Sequence, residues 1–383
     1  LALVGAPNSG KSTLFNALTG AKVQTGNWPG TSVEVSRGLW NAQPEAFDII
    51  DLPGAYSLEP MSPDEAFTKQ MTVKTIEAHA NSEQPFFIWA SFYRPHQPYT
   101  PLQKFLDLYE YSTWGKGTRN GGAIKRPNSF YEPTENLPPF LQSQRNGGNK
   151  VWNMDRAFAN EQLWRDYIAS YYALVSEVDF HVGEIIRALE KNGLKEETII
   201  IYTSDHGDFV GQHGMVEKAA MGHNVYEDIL QVPLIIHYPG QDQGQVRYEL
   251  VSQVDILPTI LEMIGANTPS LNYPLQGHSL HGLMADGKSL DRTYLVSESW
   301  SQATVITREY KLGIMLEPPK ALDQFDYRSF GDMFFDREKD PEELSNVLSE
   351  PGYDQDVKRL RTYYQNFCER IPDIGKTQAI KQW

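Results

Sequence analysis

The sequence contains a single cysteine, Cys368. A lone cysteine excludes an internal disulfide, so cysteine usage does not assign the chain to an oxidising or a reducing compartment. Long hydrophobic runs are also missing: no stretch of about 18 apolar residues occurs, which is the length that a membrane-spanning helix needs. The N-terminus has neither a start methionine nor a signal-peptide pattern, so we expect a fragment at that end and leave the localisation open.

Basic residues are in short supply, with 34 Lys and Arg against 49 Asp and Glu, which gives a net charge of −15. This balance argues against a nucleic-acid-binding surface, which would need a basic stripe. It does not exclude an anionic small substrate, because a bound cation can reverse the local field. With 383 residues, 40% hydrophobic and 22% charged, the composition is typical of a globular chain of two or three domains.

A phosphate-binding pattern opens the chain. The apolar run at 1–4 is followed by G-x-x-x-x-G-K-S and then by a helix pattern that ends near Gly20. In such a loop backbone N–H groups surround phosphates, the lysine reaches the terminal phosphates and the serine hydroxyl binds magnesium. Further along the chain, the Ser32 hydroxyl and the Asp51 carboxylate could bind magnesium. The Gly54 N–H, which ends the D-x-x-G segment, could face a γ-phosphate. The candidate nucleotide-binding residues are Gly5, Asn8, Gly10, Lys11, Ser12, Thr13, Ser32, Asp51 and Gly54.

Three segments in this region, G-A-P-N-S-G-K-S-T-L-F-N-A-L-T-G, N-W-P-G-T-S-V-E and D-L-P-G-A-Y-S-L, resemble the G domain of bacterial ferrous-iron transporters of the FeoB type. The resemblance implies GTP with Mg²⁺ and a cytoplasmic location. It stops near residue 60, because the N-K-x-D-like segment that reads guanine is absent, as is the membrane part of that family. We therefore expect a truncated P-loop β-α-β unit over 1–60.

A different pattern begins at Pro85. Strand patterns at 86–92, 198–203 and 232–238 alternate with helix patterns at 160–191 and 254–265. This alternation predicts an α/β fold with a mostly parallel sheet and helices on both faces. After about residue 290, short alternating strands and a helix pattern at 355–370 predict a small C-terminal α+β subdomain. The predicted organisation is a P-loop fragment at 1–60, a junction at 61–84, an α/β core at 85–289 and the C-terminal subdomain at 290–383.

The segment T-S-D-H-G places Asp205 and His206 where the 198–203 strand pattern ends, and Lys218 follows thirteen residues after Asp205, beyond a Gly-rich loop. His96 follows another strand and lies between two prolines, which restrict the loop. An isolated Asp-His pair is also typical of a loop cap with a surface imidazole, and a lone lysine of a solvated charge. The strand end, the Gly-rich loop and the lysine together favour a site for a metal and a tetrahedral anion, because ligands of parallel sheets bind beyond the carboxyl ends of strands.

Several segments of this second part match, in order, the pattern of type I sulfatases of the alkaline phosphatase superfamily, which the chain resembles over about 68–383. They are P-F-F-I-W-A-S-F-Y-R-P-H-Q-P-Y, T-S-D-H-G-D-F-V-G-Q-H-G-M-V-E-K, V-P-L-I-I-H-Y-P-G, V-D-I-L-P-T-I-L and M-F-F-D-R-E-K-D-P-E-E-L-S-N. The resemblance implies an alkaline phosphatase-like fold and hydrolysis of a small-molecule or carbohydrate sulfate ester in the periplasm or outside the cell. It implies Asp205 and His206 as Ca²⁺ ligands, and Lys218 and His96 as catalytic residues that bind sulfate and stabilise the leaving oxygen. Three further histidines, His213, His223 and His237, are interpreted as mostly structural.

The sequence departs from that pattern at the nucleophile. Sulfatases attack with a formylglycine made from C-x-P-S-R, and this motif does not occur in the 383 residues. The Asp-Asp metal ligands and the G-K-x-H segment of the family are also absent, and Cys368 lies in N-F-C-E-R. We therefore expect no turnover of sulfate esters by the chain as written. The alternative is a GTP-binding protein that uses the P-loop; hydrolysis of a phosphodiester or phosphonate would need the same missing nucleophile.

Overall fold

The computed structural model describes most of the chain between residues 64 and 370 and three short pieces before it. The described residues are 2–5, 36–42, 45–51, 64–109, 124, 126–135, 137–143, 161–218, 225–241, 244–266, 275–299, 302–316 and 331–370. The chain divides into two compact units. Unit 1 comprises 1–125, 165–200 and 237–240, and unit 2 comprises 126–164, 201–236 and 241–383. The domain boundaries predicted from the sequence stay a prediction.

Strands and helices alternate over the first two thirds of the described chain. The strands are β1 (Ala2–Gly5), β2 (Ser36–Ala42), β3 (Glu45–Asp51), β4 (Ile88–Ser91), β5 (Ile200–Thr203), β6 (Leu234–His237), β7 (Leu295–Ser299), β8 (Gln302–Ile306), β9 (Tyr310–Met315) and β10 (Met333–Asp336). The helices are α1 (Asp64–His79), α2 (Gln103–Leu106), α3 (Pro139–Ser143), α4 (Glu161–Lys191), α5 (Glu227–Leu230), α6 (Ile256–Met263), α7 (His281–Asp286) and α8 (Asp354–Arg370).

The sheet of unit 1 has the strand order β2-β3-β1-β4. Its central strand β1 runs parallel to both β3 and β4, while β2 is antiparallel to β3. The register pairs Ala2 with Ile88 and Gly5 with Ser91. The strand that precedes the P-loop pattern is therefore hydrogen-bonded to the first strand of the second pattern. The predicted P-loop and its helix lie outside the described residues.

The long helix α4 has the apolar spacing that predicted it. Its hydrophobic positions recur every three or four residues, as a helix that covers a core requires. Ala188 and Leu189 are buried against Ile76 of α1, and Ile88 of β4 and Ile200 of β5 pack on the same cluster. Hydrophobic contact between α1, α4 and the strands therefore forms the core of unit 1.

The C-terminal part of unit 2 is a four-stranded sheet of order β10-β9-β8-β7, antiparallel throughout. One face of this sheet is covered by α8, whose Leu360 and Tyr364 are buried with Val305, Leu312 and Ile314. The sheet and helix agree with the predicted α+β character of the region. Parallel pairing is found for β1, so the fold is mixed α/β, and β5 and β6 pair with each other in a two-stranded sheet.

None of the helices in the described part of the chain has the length and apolarity needed to cross a membrane.

A buried lysine ties the C-terminal sheet to α5. Lys311 on β9 is fully buried, and its ammonium donates to Glu227 Oε2 at 2.5 Å and pairs with Glu343. The Arg337 guanidinium donates to the other oxygen of Glu227 at 2.9 Å. Burial opposes ionisation of Glu227, but Lys311 and Arg337 outweigh it and hold the pKa of that carboxyl below its ordinary value. A buried charge of this kind is tolerated only while its partners remain in place.

We expect the Lys311→Met variant to lose about 3–5 kcal/mol of unfolding free energy, because it leaves the buried Glu343 carboxylate without its cation and Glu227 with Arg337 alone. Urea denaturation followed by circular dichroism measures the loss. The matched control is Lys288→Met, since the Lys288 side chain is 72% exposed and pairs at 2.8 Å with Asp286, whose side chain is 56% exposed. Exposed ion pairs contribute little, so equal losses in the two variants would contradict the assignment of Lys311 to a buried ionic contact.

Candidate functional site

The turn after β5 is built from hydrogen bonds between neighbouring residues. The Ser204 hydroxyl donates to the His206 carbonyl at 3.0 Å, and the His206 backbone N–H donates to Asp205 Oδ1 at 2.9 Å. The side-chain amide of Gln253 donates to the carbonyls of Ser204 and Asp205, the latter at 3.2 Å. Together these bonds hold the Asp-His pair at the carboxyl end of the strand, where sheets of this kind bind ligands.

The hydrogen bonds of His206 determine its tautomer. Nδ1 lies 2.7 Å from the Gly207 carbonyl oxygen, which can only accept, so Nδ1 carries the proton. Nε2 therefore presents its lone pair, and the Lys218 ammonium donates to it at 3.1 Å. The His206 side chain is 33% exposed and Lys218 is exposed. An ammonium and an imidazole thus meet at a solvent-accessible point where an anion could bind.

Residues 207–218 form a loop, called here the return loop, that brings Lys218 back to the strand end. The Phe209 N–H donates to the Glu217 carbonyl at 2.9 Å, and the Gly211 N–H to the Met215 carbonyl at 3.0 Å. Phe209 is fully buried and anchors the start of the loop in the core of unit 2. The residues between Asp205 and Lys218 therefore form a folded loop and not an extended segment. The structure brings Asp205, His206 and Lys218 together, and their roles remain predictions.

A calcium ion needs more ligands than the described residues supply. Asp205 has a carboxylate that is 82% exposed, with Oδ2 3.5 Å from His206 Nε2. Among the described residues, no group of three or more His, Cys, Asp or Glu side chains is arranged to hold a metal ion. Calcium takes six to eight oxygen ligands, whereas this pair offers one carboxylate and one nitrogen that already accepts from Lys218. The side chains described here do not by themselves fit a calcium site.

His96 lies in unit 1, on the loop that leaves β4. Its backbone N–H donates to the Tyr93 carbonyl at 3.2 Å, its ring lies 4.7 Å from the Tyr93 ring, and the imidazole is exposed. Arg94 closes the loop around it by donating from its guanidinium to the carbonyls of Pro98 at 2.6 Å and Thr100 at 3.4 Å. Both prolines of the segment follow cis peptide bonds. Arg94 therefore adds to the prolines a second constraint on the His96 loop.

Glu65 of α1 holds Arg94 in turn. Its Oε1 accepts the Arg94 backbone N–H at 3.0 Å, and its Oε2 lies 3.7 Å from Nε of the same residue. Both side chains are buried. Glu177 of α4 lies in the same buried group, where burial raises the pKa of its carboxyl above the ordinary value in spite of Arg94. The junction helix therefore packs with the His96 loop.

Sequence analysis did not find these supporting residues. Arg94 stands inside the R-P-H-Q-P segment, so its position next to His96 is a signal that could have drawn attention to it. Glu65 lies 29 residues earlier in the chain, and no local pattern joins the two.

The predicted nucleotide-binding residues fall mostly outside the described part of the chain. Gly5 ends β1 and Asp51 ends β3. The remaining candidates lie outside the described residues: Asn8, Gly10, Lys11, Ser12, Thr13, Ser32 and Gly54.

Cys368 has the environment of a structural cysteine. It lies on α8 and packs against the core of the C-terminal sheet. Burial raises the pKa of its thiol above the ordinary value, so the thiol is protonated at neutral pH. A protonated thiol is a poor nucleophile, which agrees with the sequence-based view that Cys368 does not replace the missing motif.

Two family models match the chain. A model described as sulfatase matches residues 4–266, and a model described as N-sulphoglucosamine sulphohydrolase, C-terminal, matches residues 211–369. The first covers more than half of the chain and extends across both patterns recognised in the sequence.

Known proteins agree with these models. The chain is 27% identical over 286 residues to an arylsulfatase of Clostridium perfringens, an alignment that covers 73% of this chain and 52% of that protein. It is 31% identical over 228 residues to an N-acetylglucosamine-6-O-sulfatase of Bacteroides thetaiotaomicron, covering 57% and 39%. A protein solved in complex with its substrate D-glucosamine-2-N,6-O-disulfate superposes with a TM-score of 0.65 at 19% identity, covering 98% of this chain and 81% of that one. The chain spans about half the length of the first curated relatives it matches.

The interpretation of residues 1–60 as a G-domain fragment is not supported. The sulfatase model matches from residue 4 onwards, within that segment. The structure also pairs β1 with β4, so residues 2–5 belong to the same sheet as the strand that leads to His96. A P-loop pattern between an apolar strand and a helix pattern is a local signal, and neither the strand pairing nor the family match follows from it.

We expect the Arg94→Met variant to lose about 3–5 kcal/mol of unfolding free energy, because the Glu65 carboxylate would stay buried without its cation. Hydrogen exchange of the backbone N–H groups of His96, Gln97, Tyr99 and Thr100 should also become faster, since two carbonyls of the loop lose their donor. The control is Arg187→Met on α4, whose side chain is 58% exposed and pairs with Glu184. Unchanged exchange in the Arg94 variant would show that Arg94 does not hold the His96 loop.

Proposed function

The chain belongs to the sulfatase family, and on this basis we propose that it is a protein of the sulfuric ester hydrolase type, inactive as written, whose return loop binds the sulfate group of a sulfate ester. The observation that carries the proposal is the contact of 3.1 Å between the Lys218 ammonium and the Nε2 atom of His206. Both groups stand at the carboxyl end of β5 and are accessible to solvent. A chain with a net charge of −15 repels anions at long range, so a local cation at this point is what would attract a sulfate.

The substrate that we propose is a sulfated sugar. The support comes from the related N-acetylglucosamine-6-O-sulfatase and from the structural neighbour that holds a glucosamine disulfate. A sugar sulfate carries its negative charge on a small tetrahedral group, which the Lys218 ammonium can bind with a charge-assisted hydrogen bond.

Each proposed residue has a separate task. Lys218 would donate to a sulfate oxygen and neutralise charge that grows as the ester bond breaks. For His96, in unit 1, the resemblance implies binding of the sulfate and stabilisation of the leaving oxygen, and this role stays a prediction. Asp205 and His206 would contribute two ligands to a calcium ion, the cation that the resemblance implies, although the described residues do not complete its coordination.

The nucleophile is the missing part. The 383 residues contain no C-x-P-S-R, and the thiol of Cys368 is protonated and packed against a core. We therefore propose that the chain as written binds the sulfate group but does not hydrolyse the ester. Positioning and charge stabilisation lower a barrier only when an attacking group is also present.

We expect no turnover of 4-methylumbelliferyl sulfate by the chain with added calcium, because no nucleophile is available. Fluorescence of the released product measures the rate. Turnover above that of the Lys218→Ala variant would contradict the proposal of inactivity and would show that another group attacks the ester.

We expect inorganic sulfate to bind, and the Lys218→Met variant to bind it about tenfold or more weakly, which is the loss expected for one hydrogen bond to a charged group. Isothermal titration with sodium sulfate measures both affinities. The control is Lys358→Met, since Lys358 is an exposed lysine of α8. Equal weakening in both variants would mean that only overall charge matters and that the return loop is not the site.

A further inference from the structure

Three residues of the return loop other than glycine have a left-handed backbone conformation. Val210, His213 and Glu217 have φ values of 47°, 52° and 54°, in the left-handed region that residues other than glycine rarely adopt. A β-branched residue such as Val210 is especially disfavoured there. Such a conformation persists only when contacts with the surrounding structure impose it. Contacts from outside the loop must therefore keep Lys218 in place.

His213, at the tip of the loop, makes these contacts. The residue is 1% exposed, its Nδ1 lies 2.5 Å from Glu132 Oε2, and its Nε2 lies 3.3 Å from Asp228 Oδ2. Its backbone N–H donates to the Ser129 hydroxyl at 3.0 Å, and its ring packs 4.0 Å from the ring of Tyr226. Both ring nitrogens face carboxylates, so a doubly protonated imidazolium satisfies both partners.

The ionic environment favours that protonated form. Burial alone would lower the pKa of His213, but the hydrogen bonds and charges of Asp228 and Glu132 outweigh burial and raise the pKa above its ordinary value. The Glu132 side chain is fully buried, whereas that of Asp228 is 26% exposed. Glu132 is thus the partner whose charge is more completely shielded from water, and the imidazolium is one of the groups that balance it.

The helix that supplies Asp228 also holds the start of the return loop. The Gly207 N–H donates to the Ile229 carbonyl at 2.8 Å. A Cβ atom on Gly207 would lie 1.8 Å from the carbonyl oxygen of Asp228, so only glycine allows this approach. Contacts with α5 therefore hold both ends of this part of the return loop: a backbone hydrogen bond at Gly207 and an ionic contact at His213.

We infer that His213 is a positioning residue, whose imidazolium, held between Glu132 and Asp228, keeps the return loop in the conformation that places the Lys218 ammonium against His206. Its distance along the chain from the Asp-His pair, and its burial, separate it from the groups that would touch substrate. The effect on sulfate rests on the proposed function, whereas the effect on the contact between Lys218 and His206 does not.

The test follows the His206 ring directly. Long-range ¹H–¹⁵N spectra of the chain labelled with [¹⁵N]histidine report the ring nitrogens, and the His206→Gln variant assigns them by loss of its signals. The Lys218→Met variant gives the Nε2 shift without the ammonium. We expect His213→Phe to move the His206 signal to that value and to weaken sulfate binding about tenfold, the loss expected for one charge-assisted hydrogen bond.

A double variant separates positioning from stability. His213→Phe leaves Glu132 charged and buried, so the single variant is expected to be destabilised. Adding Glu132→Gln removes the buried charge and should restore the unfolding free energy, while the His206 signal stays at the value of the Lys218→Met variant. The control is His281→Phe, because His281 pairs with Glu262 elsewhere in unit 2 and should leave the His206 signal unchanged.

Each outcome either supports or overturns the positioning role of His213. A wild-type His206 signal in His213→Phe, or recovery of both stability and the His206 signal in the double variant, would overturn the positioning role. A His206 signal that moves in both variants supports that role even if the wild-type chain binds no sulfate. In that last case the proposed function fails and the positioning role stands.

Discussion

A helix of four residues, α5, holds the site between two buried ionic contacts. On one side Glu227 meets the buried ammonium of Lys311 and the guanidinium of Arg337, which join it to the C-terminal sheet. On the other side Asp228 pairs with His213 of the return loop. A sheet that itself carries no predicted site residue is thereby joined, through α5, to the loop that carries Lys218.

These contacts are better explained by specificity than by stability. Buried ion pairs usually recover little more than the cost of removing their charges from water, so an apolar core would hold α5 at least as firmly. The charges instead favour one arrangement of the chain, because the Lys311 ammonium pairs with both carboxylates only when Glu227 and Glu343 face it. The loop after β4 follows the same principle, with Arg94 held by Glu65 and closing the backbone around His96. Each unit thus supports its exposed candidate side chain with a buried cation–carboxylate contact.

Much of the fold could be predicted because its signals are local. Apolar spacing predicted α4 and α8 to within a residue or two, and apolar runs bounded by turn residues predicted β4, β5 and β6. The proximity of Lys218 to the Asp-His pair followed from the strand end and the Gly-rich loop, and the structure agrees. The interpretation of residues 1–60 as a G-domain fragment is not supported, and a loop motif carries no information about which strands β1 pairs with. Those strands are β3 and, more than eighty residues later, β4.

Sequence alone determined which side chains are candidates for binding an anion, the strand end that presents them and the absence of C-x-P-S-R from the 383 residues, because residue type and nearby spacing carry that information. Only the tertiary structure decided what holds those side chains. The partners Glu132 and His213 are 81 residues apart, and Glu65 and Arg94 are 29 apart. No periodicity links such positions, since the contacts exist only after packing has excluded water and made an unpaired charge costly. His213, interpreted from the sequence as a structural histidine, acquires its proposed role only from the carboxylates that the fold places on both sides of its ring.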